Sequence, residues 1–94
     1  MGKLTLEFVG LCNTSEGLKA CFANTARLDS GQIDGLKAAA RSGKLTHSSG
    51  GVILLGEERL ESGVDQLEKS GDDSTILSEG LSALLRANRK PAGP

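Results

Sequence analysis

The side chains suited to chemistry are few and scattered. His47 is the single histidine, and it stands beside Ser48 and Ser49. A serine nucleophile needs a base within hydrogen-bond reach and a third group that orients the base, which sequence neighbours seldom provide. Cys12 and Cys21 fit neither a metal-ligand spacing nor a disulfide framework. They read as reduced, half-buried small apolar residues. Ser48-Ser49-Gly50-Gly51 could turn backbone N–H groups toward an anion, yet it lacks the lysine and the directly following helix of a phosphate-binding loop. The carboxylate pairs Glu57/Glu58 and Asp72/Asp73 stand where helices should begin, so the helix dipole accounts for them. This inventory points to a non-enzymatic chain with no catalytic set, no metal site and no cofactor.

The distribution of charge is more informative. The formal net charge is −1, which gives no general attraction to nucleic acid or to an anionic membrane. Between residues 19 and 47, Lys19, Arg27, Lys37, Arg41 and Lys44 outnumber Asp29 and Asp34. Between 56 and 79, eight acids face only Arg59 and Lys69. Arg86, Arg89 and Lys90 make the end basic again. Within the acidic region Glu57, Glu61, Asp65, Glu68 and Asp72 recur at steps of four, four, three and four, which puts them on one side of a helix. Like charges so spaced destabilise an isolated helix by a few tenths of a kcal/mol per pair. Something positive should offset them: the Lys37, Arg41 and Lys44 face of the same chain, or a partner. The stripe therefore reads as a docking surface for a basic protein or for a second copy.

The elements that would carry these residues follow from pattern. Ninety-four residues make one domain, here 1–90, with 91–94 as a frayed tail. With two Phe and neither Trp nor Tyr, the core must be thin and aliphatic. Lys3–Gly10 alternates Leu4, Leu6 and Phe8 with Lys3, Thr5 and Glu7, a half-buried strand. Asn13 and Glu16 have capping-box spacing and open a helix to about Arg27, with Leu18, Cys21, Phe22 and Thr25 on one face. Asp29 and Gln32 repeat that spacing ahead of a helix over 30–42, with Ile33, Leu36 and Ala40 inward and Gly43 as its stop. Lys44–His47 and Val52–Leu55 flank Ser48–Gly51 as a hairpin, and the second, wholly apolar run is expected to lie centrally in the sheet. Glu57–Ser70 is a helix with an apolar stripe of Leu60, Val64 and Leu67, stopped by Gly71. A last helix, capped by Asp72-Asp73-Ser74, runs to about Arg89. Its Leu77, Leu81, Leu84 and Leu85 could pack inward or form a homodimer face. The expected class is α+β, in the order β-α-α-β-β-α-α, with a two- to three-stranded sheet of strand plus hairpin packed against helices.

The order helix–turn–helix–hairpin over Thr14–Leu55 resembles the core of a winged-helix DNA-binding domain. The resemblance covers about half the chain and is one of element order. It implies that 30–42 is a recognition helix, that Ser48–Gly51 is the wing tip, and that Lys37, Arg41 and Lys44 face DNA. No apolar run approaches the roughly 18–20 residues needed to span a bilayer, and the first residues carry no signal-peptide pattern. A cytoplasmic, non-enzymatic interaction or regulatory module is expected, self-associating through its C-terminal helices. A DNA-binding regulator is the alternative.

Overall fold

The computed structural model describes residues 5–45 and 51–89. In chain order these form β1 (Leu6–Thr14), β2 (Gly17–Asn24), α1 (Ser30–Arg41), β3 (Val52–Leu55), α2 (Glu57–Lys69) and α3 (Thr75–Asn88). The class is α+β, as expected: one three-stranded antiparallel sheet, ordered β1-β2-β3, with three helices.

The order of elements is β-β-α-β-α-α, which corrects the expected β-α-α-β-β-α-α. Residues 17–24 are the central strand of the sheet, not a helix. A strand buried on both faces loses the polar–apolar alternation that marks it, and its apolar run then reads equally well as a helix. Ala20, Cys21, Phe22 and Ala23 are all fully buried. The Asn13–Glu16 spacing serves a different purpose as well. Ser15 and Glu16 form a tight turn between Thr14 and Gly17, with Gly17 at φ +115°. The Glu16 amide donates to Thr14 Oγ1, the Thr14 hydroxyl donates to the Gly17 carbonyl, and Lys19 Nζ lies 2.7 Å from Glu16 Oε1. Without a first helix, the helix-turn-helix of the winged-helix resemblance is absent from the described residues.

The expected hairpin over 44–55 is also corrected. Lys44 and Leu45 are not in a strand, and Thr46–Gly50, most of the expected wing tip, lie outside the described residues. β3 is an edge strand beside β2, not a central one. The first strand runs beyond Gly10 to Thr14 and contains a bulge: Phe8 pairs with Phe22 and Gly10 with Cys21, leaving Val9 extra.

The helix boundaries were foreseeable. Asp29 Oδ1 accepts from the Gln32 amide, and Gln32 Oε1 accepts from the Asp29 amide, a complete capping box for α1. Gly43 and Gly71, at φ +74° and +77°, close α1 and α2 in the same way. The amide of the following residue reaches back to Ala39 in α1 and to Leu67 in α2, 2.8 Å in both cases.

The sheet separates two cores. On one side Val9, Cys12, Cys21, Ala23 and Ile33 pack beneath α1, with Leu28, Leu36, Leu45, Val52 and Leu54 around them. On the other, Ala20, Phe22, Leu60, Leu77 and Leu84 pack beneath α2 and α3. Leu60, Val64 and Leu67 all lie in this second core, as their spacing predicts.

Candidate interaction surface

α2 presents its acids as the spacing requires. Glu57, Glu61, Asp65 and Glu68 are exposed, while Leu60 on the opposing side is fully buried. Asp72 lies beyond the helix, partly buried, with its amide engaged in the C-terminal closure. Glu57 and Glu58 sit in the first turn and Lys69 in the last, so the helix dipole favours the ends of this charge pattern. Lys69 Nζ lies 3.2 Å from Asp65 Oδ2, in the favourable acid-before-base order at four residues' spacing.

The basic residues do not form one free face. Lys37 reaches down to β1 and pairs with Glu7. The hydrogen bond to Glu7 raises the Lys37 pKa above its ordinary value, and the charges of Glu7, Asp34 and Glu79 add to the rise. Arg41 ends α1 and Lys44 follows Gly43. Both are exposed and make no ion pair among the described residues. α1 and α2 lie on opposite sides of the sheet, so the sheet stands between the basic side chains of α1 and the acids of α2.

The leucines of α3 divide as well. Leu77 and Leu84 are buried in the chain's own core, and Leu81 packs against it. Leu85 is partly buried and lines a shallow groove of about 440 Å³ with Ser82, Arg86 and Arg89. A second groove, of about 360 Å³, runs along the flank of α2 and is lined by Leu55, Arg59, Ser62, Gly63, Gln66 and Leu77. Sequence pattern pointed to neither groove, because each mixes residues from outside the apolar and charged stripes. Ile53 on β3 departs from pattern for a different reason: its position in an unbroken apolar run suggests burial, yet it is 39% exposed.

Neither cysteine is set up for nucleophilic work. Cys12 and Cys21 are free and buried, more completely than the half-burial expected. The Cys12 thiol donates to the Leu45 carbonyl at 3.5 Å. Burial pushes the Cys21 thiol up to about 11, with the nearby Cys12 contributing in the same direction, so the reactive thiolate is scarce at neutral pH. His47 lies outside the described residues, as do Lys90 and the 91–94 tail. No group of three or more potential metal ligands occurs among the described residues, and no helix there is long and apolar enough to cross a membrane. Compared with protein-family models, with curated proteins and with solved structures, the chain matches none.

Proposed function

We propose that the domain is a small non-enzymatic interaction module that docks a basic protein surface onto the acidic face of α2. One observation supports this reading above the others. The acids of α2 and the bases of α1 are on opposite sides of the sheet, and Lys37 is already paired with Glu7. Within the described residues only Lys69 bridges to the stripe, through Asp65. The repulsion along Glu57, Glu61, Asp65 and Glu68 is thus relieved most fully by charge from outside the chain. Such a stripe governs encounter rate and specificity more than affinity. Self-association through the C-terminal helices would have to use Leu81 and Leu85, since Leu77 and Leu84 are committed to the core.

A lysine-rich helical peptide serves as the test partner, titrated against the full chain at low and high salt. Glu61→Lys with Asp65→Lys should abolish binding while the far-ultraviolet circular dichroism is unchanged. Glu58→Lys with Asp73→Lys makes the same change in net charge away from the stripe and should retain most of it. Equal loss in both pairs would mean that only net charge matters, and the reading would fall.

A further inference from the structure

We infer that the domain pairs with a second copy of itself through the edge of β3 that no described strand covers, extending the sheet to six strands across a two-fold axis at Ile53. The proposal is independent of the acidic face of α2.

The two edges of the sheet are differently defended. β1 carries the Val9 bulge, which disrupts the ladder, and its Glu7 is engaged by Lys37 from α1. Bulges and charges of this kind keep an edge from accepting another strand. Among the described residues β3 has neither bulge nor charge, and only its four-residue length limits what it offers. Val-Ile-Leu-Leu contains no charge and no proline, and its register with β2 is unbroken. It also holds Ile53, the large hydrophobic side chain that the described surface leaves exposed.

The backbone fixes which groups the β3 edge offers. The Asn24 amide donates to the Gly51 carbonyl at 2.7 Å, so Gly51 points its backbone toward β2. With a two-residue period, Ile53 and Leu55 do the same, and Val52 and Leu54 direct their N–H and C=O groups outward. Those groups are unpaired among the described residues.

A second β3 can satisfy them in a narrow set of registers. Directly opposed residues of an antiparallel pair share a face of the sheet. Ile53 and Leu55 belong to the α2/α3 side, Val52 and Leu54 to the α1 side. A slip of one residue would mix the sides, so only every second register is allowed. Among these, the register opposing Ile53 to its own copy places Val52 against the partner's Leu54 and keeps every hydrogen bond within β3. It sets the Ile53 side chains at a non-hydrogen-bonded position, where the strands approach closest. Faces, hydrogen bonds and the exposed isoleucine thus converge on a single register. The pairing is isologous and consumes both β3 edges, which leaves only the bulged β1 edges outside; assembly stops at two copies.

The test uses the full chain. Light scattering over a concentration series should give twice the chain mass at the upper end. Ile53→Lys places like charges against each other at the axis and should return the monomer mass, with circular dichroism unchanged because the side chain is already exposed. Ile53→Cys should form a covalent dimer under mild oxidation, since the opposed Cα atoms fall within disulfide range. The parent chain, whose thiols are buried, should form none. A monomer at every concentration, a dimer that survives Ile53→Lys, or an Ile53→Cys chain that does not cross-link would each overturn the proposal.

Discussion

The α1 side of the sheet and the α2/α3 side are built on different principles. Beneath α2 and α3 the core is large: Phe22, Leu60 and Leu84 are wholly buried, and the Phe8 and Phe22 rings meet at 5.6 Å and 57°. Beneath α1 it is small, made of Val9, Cys12, Cys21 and Ala23, and the helix itself buries only Ile33. Each side also brings backbone close to a neighbour through glycine. On the α1 side it is Gly10, at φ +149°, where a Cβ would overlap that of Ala40. On the other side it is Gly80 of α3, where a Cβ would overlap the Phe22 ring. The first pairs a strand glycine with a helix alanine, the second a helix glycine with an aromatic ring. At roughly 1.5–3 kcal/mol for each large apolar side chain buried, most of the apolar stabilisation falls on the α2/α3 side. α1 is held by close approach and by its cap.

That asymmetry is open to direct attack, beginning with the cores. Leu60→Ala should cost about 4–5 kcal/mol, and the matched truncation Ile33→Ala about 2–3 kcal/mol, in denaturant unfolding. Similar losses would erase the distinction between the two sides.

The next largest effect belongs to the α1 side and is a matter of pH. Unfolded, the Cys21 thiol ionises at its ordinary value of 9.0; folded, it keeps its proton to about 11. The associated stabilisation is complete below about pH 9 and is lost as pH rises through about 11, on the order of 2–3 kcal/mol in all. Unfolding free energy measured across that window should fall in the parent and fall less in Cys21→Ala. Parallel curves would show that the thiol does not report on this core.

The smallest effect separates the helices. Asp29→Ala removes the capping box of α1 and should cost about 1 kcal/mol. Amide exchange should quicken in α1 and leave α2 and α3 as they were. Uniform acceleration would mean that α1 does not open independently, and that the two sides act as one unit.

What could be read from the sequence follows the same divide. The ends of α1 and α2 were legible because caps and stops are local: Asp29 with Gln32, then Gly43 and Gly71, act on residues within a turn of themselves. The inner face of α2 was legible because Leu60, Val64 and Leu67 have polar neighbours. The central strand was not, since Lys19 to Ala23 offers no alternation once both faces are covered. Asn13 and Glu16, either side of Thr14 and Ser15, gave a turn the spacing of a helix cap. Of the candidate surfaces, the exposure of Glu57, Glu61, Asp65 and Glu68 was correctly foreseen. The separation of α1 from α2 depends on which side of the sheet each crosses, and no local pattern carries that. The engagement of Lys37 by Glu7 joins residues thirty positions apart, equally beyond any local reading.

Val9 has one more consequence. Before it, the even-numbered residues of β1, Leu6 and Phe8, belong to the α2/α3 side; after it, Leu11 belongs there and Cys12 lies opposite. The strand is read in two frames, and Val9 is the point where the frame changes. Losing that one residue would merge the frames: Gly10 would adjoin Phe8 as Cys21 adjoins Phe22, and Leu11 and Cys12 would keep their layers. What would vanish is the irregularity that guards the β1 edge, together with the Val9 side chain in the α1-side core.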